Sequence, residues 1–177
     1  MSVLEVVEKF VSINGEGTKA GQLAVFIRFK GCNLNCKYCD TKWANEADAT
    51  AQQMTKEDIL EYVLSTGVKN VTLTGGEPLL RDGIEDVIEC FADNNLNVEI
   101  ETNGSIPLDN ICKLHKDNVT FTMDYKLSCS GMEQAMRLEN FSVLNKNDTV
   151  KFVAGCHEDL VRTKQIIEKY NLYGKCN

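Results

Sequence analysis

Histidine is almost missing from this chain of 177 residues. The only two, His115 and His157, stand near no motif, so both read as surface or satisfied structural groups and not as ligands or general bases. No apolar run approaches the roughly 20 residues needed to cross a bilayer, which leaves a soluble protein as the expectation. Basic residues are in deficit, 19 Lys and Arg against 26 Asp and Glu, for a formal charge of −7 and a pI near 4.9. That balance argues against a nonspecific nucleic-acid or anionic-membrane surface and suits a small-molecule substrate. The opening stretch MSVLEVVEKF lacks the charged-then-apolar pattern of a signal peptide, so the eight cysteines point to a reducing cytoplasm and not to a secreted disulfide framework. No repeat, linker or low-complexity tract divides the chain, and 1–177 reads as a single domain large enough to bury a core without disulfide staples.

Three of the cysteines carry the chemistry. Cys32, Cys36 and Cys39 stand at C-x3-C-x2-C spacing in GCNLNCKYCDT, directly after the apolar run LAVFIRF. Thiolates at these intervals on one short loop can converge on three irons of a cubane cluster and leave the fourth iron without a protein ligand. A structural zinc would need a fourth ligand, and electron-transfer clusters normally have every iron held by protein. Three ligands therefore favour a catalytic cluster. The other five, Cys90, Cys112, Cys129, Cys156 and Cys176, show no metal-ligand interval and read as isolated thiols.

Short β-rich runs at residues 23–30, 71–74, 98–102, 119–125 and 149–153 alternate with helical patterns at 55–64, 83–93, 108–115 and 158–170. Thr55 is a candidate N-cap, with Asp58 three positions on. Strands joined through helices imply right-handed crossovers and an α/β fold with a parallel sheet, open or curled into part of a barrel. Residues 42–54 are polar and poorly periodic and read as a covering loop with a short helical turn. A further strand is expected near the end of the sequence, where YNLYGKCN follows the last helix with Gly174 as its terminator.

The cysteine loop, with Tyr38 just before its last cysteine, resembles the cluster motif of the radical S-adenosylmethionine enzymes. In those enzymes the amino and carboxylate groups of the cofactor chelate the fourth iron. VTLTGGEPLL resembles their GGEP motif, which implies cofactor contacts at Gly76 and Glu77. Phe10 to Ala44, with a GEG turn, an arginine on the first strand, the cysteine loop and then Cys-Asp-Thr, is similar to the N-terminal signature of the 7-carboxy-7-deazaguanine synthases. The GGEP, ETNG and DYK segments follow in the same order, and the likeness weakens only after about residue 155.

This resemblance selects a partial, TIM-like barrel with outer helices, residues 18–44 supplying a strand plus the cluster loop, and a final barrel strand that could lie beyond 177. It implies a [4Fe-4S] cluster on Cys32, Cys36 and Cys39, and S-adenosylmethionine contacts at Tyr38, Cys39, Asp124, Tyr125 and Lys126, with Asp40 contacting that cofactor or a metal-bound water. Thr41 would ligate Mg2+, a hard cation suited to a hydroxyl oxygen. Substrate contacts would come from Ile13, Asn14 and Gly15, from Arg28 as a bidentate fork for a carboxylate, and from Thr74. Asn14 stands where many members have glutamine, and Ser128 where many have proline.

The implied reaction is the ring contraction of 6-carboxy-5,6,7,8-tetrahydropterin to 7-carboxy-7-deazaguanine with loss of ammonia, a lyase step toward queuosine. The electron donor would be a flavodoxin or ferredoxin, and the assembly a homodimer. Two other readings fit the cysteine loop. One is an activase for a glycyl-radical partner, and the other a non-catalytic metal or electron-transfer module.

Overall fold

The computed structural model describes residues 2–114 and 116–177. Among them, seven strands form one sheet in the order β3-β1-β2-β4-β5-β6-β7. β1 (Leu4–Ile13) and β2 (Leu23–Phe29) pair antiparallel, and β3 (Gln52–Met54) adds antiparallel to β1 at one edge. From β2 onward every pairing is parallel, through β4 (Asn70–Gly75), β5 (Asn97–Thr102), β6 (Val119–Tyr125) and β7 (Thr149–Phe152). The expectation of a parallel α/β sheet therefore holds for the five strands read from the sequence. The two flanking strands are new, and one of them falls in the expected covering loop, whose helical turn forms at Lys42–Asn45.

Parallel strands buried on both faces read as near-continuous apolar runs. These instead alternate, and the alternation explains the architecture. Val71, Leu73, Val98, Ile100, Phe121 and Met123 are buried on one face, against α1 (Lys56–Ser65) and α2 (Ile84–Asp93). The intervening residues, Thr72, Thr74, Glu99, Glu101, Thr122 and Asp124, are polar and share the other face. Each fully buried large side chain of the apolar face stabilises the fold by roughly 1.5–3 kcal/mol, which outweighs strand propensity differences of at most ~1 kcal/mol. The polar face is left to line a cavity.

Thr55 caps α1 in both directions: Asp58 N–H donates to Thr55 Oγ1 (3.2 Å) and Thr55 N–H to Asp58 Oδ2 (2.8 Å). On α2, Ile84, Val87, Ile88, Phe91 and Ala92 are buried at helical intervals. The helix expected over 108–115 is short, with only α3 (Asp109–Cys112) formed; its N-cap, Leu108, offers no side-chain acceptor, and His115 lies outside the described residues. The brief α4 (Asn140–Val143) follows β6, and α5 (His157–Lys169) closes the run of helices.

The expected strand in the tail is reduced to one residue's worth of pairing. Asn177 N–H donates to the Asp148 carbonyl and Val150 N–H to the Asn177 carbonyl, both at 2.9 Å, in the parallel pattern along β7. The sheet is open and strongly curled. In a flat sheet β2 and β7 would be roughly 19 Å apart. Yet Lys151 on β7 bonds Glu16, in the connection between β1 and β2, at 2.7 and 2.8 Å.

Candidate active site

The polar face of the curled sheet and the cysteine loop enclose a cavity of about 440 Å³ at the carboxyl ends of the parallel strands. The strand register sets its wall. Arg28 on β2 lies beside Thr74 on β4, and Asp124 on β6 beside Lys151 on β7. Opposite them stand Cys32, Cys36, Tyr38, Cys39, Asp40 and Thr41.

The loop is fixed to the strands by main-chain bonds. Gly76 N–H donates to the Phe29 carbonyl (3.1 Å) and Glu77 N–H to the Gly31 carbonyl (3.0 Å), which extends the β2-β4 ladder into the start of the cysteine loop. This close approach is why both positions are glycine. A Cβ on Gly75 would lie 2.3 Å from the Phe29 carbonyl oxygen, and one on Gly76 would lie 2.1 Å from that of Gly31. Glu77 is wholly buried and lies behind the cavity wall. It accepts from Asn103 N–H (2.6 Å), Thr102 Oγ1 (2.8 Å) and Leu79 N–H (3.1 Å), tying the GGEP turn to the ETNG turn. Burial raises its carboxyl to about 7 even against those three donors.

Burial also pushes the Cys32 and Cys36 thiols up. A coordinated metal would reverse that, since a coordinating thiol is deprotonated outright. The three sulfurs are not gathered for one small ion. Among the described residues the group of ligand atoms within 4.8 Å of one another is Cys129, Cys156 and Asp159, elsewhere in the fold. Wider spacing suits a multi-iron cluster better than a single zinc. Beside the loop, Thr41 Oγ1 donates to Asp40 Oδ1 at 2.7 Å, so two hard oxygen groups stand together at the cavity edge. Burial and the Asp124 carboxylate push the Tyr38 phenol up to about 12, so it remains a neutral donor.

On the opposite wall Arg28 gives its Nε to Glu8 (2.9 Å), and among the described residues its two terminal nitrogens make no hydrogen bond. Lys126 Nζ bonds Asp124 Oδ2 at 2.7 Å, with both side chains largely buried. The other Asp124 oxygen, Oδ1, and the side-chain amide oxygen of Asn45, Oδ1, are buried with no partner among the described residues. Both residues line the cavity, and both orphan atoms are acceptors that a ligand's ammonium or hydroxyl groups would satisfy.

A family model described as the Radical SAM superfamily matches residues 26–125. The 7-carboxy-7-deazaguanine synthase of Clostridium acetobutylicum is 58% identical over 174 residues, 98% of this chain and 78% of that protein. That of Methanospirillum hungatei is 34% identical, covering 94% of this chain and 68% of the relative. This chain belongs to the 7-carboxy-7-deazaguanine synthase family. The crystal structure of QueE from Escherichia coli shares its fold with a TM-score of 0.72 at 24% identity, over 94% of this chain and 78% of that one. Streptococcus suis SuiB aligns with a TM-score of 0.58 at 16% identity, over 80% of this chain and 35% of that one. The radical superfamily brings with it a [4Fe-4S] cluster and S-adenosylmethionine. The three thiols, the orphan acceptors and the Thr41-Asp40 oxygens fit those groups and Mg2+.

Of the residues the resemblance singled out, Arg28, Cys32, Cys36, Tyr38, Cys39, Asp40, Thr41, Thr74, Gly76, Asp124 and Lys126 meet in the synthase-family cavity. Five do not line it. Tyr125 projects from the apolar face, one residue out of phase with Asp124. Its ring packs on Phe141 and Phe152 with centroids 5.8 and 5.6 Å away, and its hydroxyl bonds Glu133. Asn14 is 1% exposed, with its amide nitrogen donating to Glu99 and its oxygen accepting from Glu16 N–H, so the side chain is committed to the fold. Ile13 is 64% exposed, Gly15 is an open turn residue, and Glu77 is the buried tie already described.

The cavity also contains groups outside that set: Glu16, Asn45, Glu101 and Lys151. Burial raises the Glu101 carboxyl, which the Thr74 hydroxyl partly offsets. Burial alone would lower the Lys151 ammonium, but the carboxylates of Glu16, Asp124 and Glu101 outweigh it and hold it up. A signal for Glu101 and Lys151 was present, since both occupy the polar phase of alternating strands. Asn45 gave none.

Proposed function

We propose that the chain acts as a 7-carboxy-7-deazaguanine synthase, a lyase that contracts 6-carboxy-5,6,7,8-tetrahydropterin to 7-carboxy-7-deazaguanine with loss of ammonia. The observation that carries this reading is the convergence, on one polar cavity, of three cluster-spaced thiols, a free guanidinium fork and a hydroxyl-carboxylate pair. Cys32, Cys36 and Cys39 hold the [4Fe-4S] cluster, and Thr41, supported by Asp40, holds Mg2+. When bound, the cluster and S-adenosylmethionine supply the hydrogen-abstracting chemistry. The chain's own side chains position the reactants and exclude water.

Arg28 presents two parallel donors to the substrate carboxylate, a fit that a lysine ammonium lacks. Thr74 stands beside Arg28 on the substrate wall, and the turn at residues 13–15, which lies off the cavity, holds Glu16 in its lining. Tyr38, Gly76 and the Asp124-Lys126 pair face the nucleoside cofactor, with Glu77 and Tyr125 holding those segments from behind. The partners are the small-molecule substrate, a flavodoxin or ferredoxin donor and a second copy of the chain as a homodimer, in the cytoplasm. No described helix is long and apolar enough to cross a membrane. The chain works as one unit, and a further barrel strand would add beside β7, where Asn177 already bonds.

The test is anaerobic reconstitution followed by incubation with S-adenosylmethionine, reductant, Mg2+ and the carboxypterin, with products identified by mass. A product lighter by ammonia, with S-adenosylmethionine unconsumed, supports the reading. Stoichiometric S-adenosylmethionine cleavage with the pterin intact sinks it.

A further inference from the structure

Apart from the three cavity cysteines, a pair of thiols lies outside the cavity. Cys129 belongs to the turn Ser128–Ser130 that follows β6, and Cys156 is the N-cap residue of α5, just after β7. Their Sγ atoms are 2.9 Å apart, with Cys129 donating, and both are partly exposed free thiols. Asp159, buried beneath them, holds the two loops in this register. It accepts from Ser128 Oγ (2.9 Å), Cys129 N–H (3.3 Å) and Gly155 N–H (2.9 Å). Gly155 permits the approach, since a Cβ there would lie 3.1 Å from the Cys129 Cβ. Two thiols are thus pre-positioned across two separate loops.

Both Asp159 oxygens are engaged by these donors, and the Gly155 N–H in first place holds its carboxyl down at about 2. A cation between the sulfurs would find two thiolates and a carboxylate already in use, short of the four ligands of a closed zinc site. Disulfide exchange needs only the two sulfurs.

We propose that Cys129 and Cys156 form a reversible modification site that takes a low-molecular-weight disulfide, such as oxidised glutathione, and closes to an intramolecular disulfide. The Cys156 sulfur attacks one sulfur of the incoming disulfide, forming a mixed disulfide and releasing one thiol that carries off the displaced proton. The Cys129 sulfur then attacks Cys156 and expels the second thiol, again with its proton. The protein dithiol loses two electrons and two protons, and the small disulfide gains both. Hydrogen bonds to Cys156 and Asp159 hold the Cys129 thiol up, so it keeps its proton until the second step. The new bond ties the exit of β6, which carries Asp124 and Lys126, to the exit of β7. The same turn touches the cysteine loop through Lys37 N–H and the Ser130 carbonyl, 3.0 Å apart, so closure stiffens one wall of the cavity.

The test equilibrates the cluster-loaded protein anaerobically in buffers of reduced and oxidised glutathione, alkylates the remaining thiols, and maps peptides by mass while iron content is followed in parallel. The expected result is a Cys129–Cys156 linked peptide, two fewer alkylated thiols, unchanged iron and full reversal by dithiothreitol. Cys129→Ser should stop at glutathione on Cys156, and Cys156→Ala should give no internal bond. Alkylation of both cysteines across the whole range of ratios would overturn the proposal. So would glutathione on each without an internal link, or stoichiometric zinc that is lost in Cys129→Ser. Because the readout is a covalent map, its failure is distinct from a failure of pterin turnover.

Discussion

Arg28 gives one nitrogen to the fold and keeps its fork for the cavity. Replacing it with lysine retains the charge but removes the second parallel donor. Hydrogen bonds to charged groups contribute about 1.5–3 kcal/mol, so kcat/KM for the carboxypterin should fall on the order of ten- to a hundredfold in steady-state assays, with iron content unchanged. Glu77 makes a prediction about pH. Its folded-state carboxyl sits near 7, above its unfolded value of 4.5, so the native state binds the extra proton between those limits. Its contribution to stability is fully present below about 4.5 and is lost as pH rises toward 7. Denaturant melts of the apoprotein should show that decline in wild type and a flatter profile in Glu77→Gln; parallel profiles would remove Glu77 as the cause. The motif residues were legible in the sequence because each sits on a short segment whose chemistry is local. Asn14 and Tyr125 were not, for different reasons. Asn14's buried partner, Glu99, is 85 positions away. Tyr125 stands inside a motif, but strand alternation turns it to the opposite face from Asp124.

At the scale of elements, short β-rich runs were enough to find β2, β4, β5, β6 and β7; the first four bury apolar side chains in the core, while all four residues of β7 are only partly buried. β3 escaped because Gln52 and Gln53 are exposed and the strand exists only through its pairing with β1. The GGEP resemblance implies a cofactor contact at Gly76, the second of the two glycines. Both glycines also serve a packing need, since the β4 turn and the cysteine loop run too close for any side chain. Gly76→Ala would place its Cβ against the main chain of Gly31, where nothing flexible can give way. Overpacking of this kind costs about 1–3 kcal/mol, and the strain falls on the first residues of the cluster loop. We expect a lower Tm and reduced iron incorporation on reconstitution; a Gly76→Ala protein that loads iron like wild type would show that the loop does not depend on this contact.

For the whole molecule, the decisive property is that the sheet curls without closing. Lys151 reaches from β7 to Glu16, in the connection before β2, and also approaches Asp124 at 3.5 Å; all three line the cavity. Both ends of the ion pair with Glu16 are more than a third exposed, so its contribution to stability is held to about 1 kcal/mol or less. Lys151→Met should therefore leave Tm nearly unchanged while raising KM several-fold for the carboxypterin; a large Tm loss with an unchanged KM would make the clasp structural only. Curling itself could not be read from local pattern, because it shows only where residues 135 apart in the chain meet. The account as a whole depends on a cluster with one iron free for S-adenosylmethionine. Electron paramagnetic resonance of the dithionite-reduced, reconstituted protein tests this most directly. The prediction is a [4Fe-4S]+ signal whose g-values shift when S-adenosylmethionine is added and which is absent in Cys36→Ala. A cluster signal indifferent to S-adenosylmethionine, or a protein that takes up zinc and no iron, would contradict it.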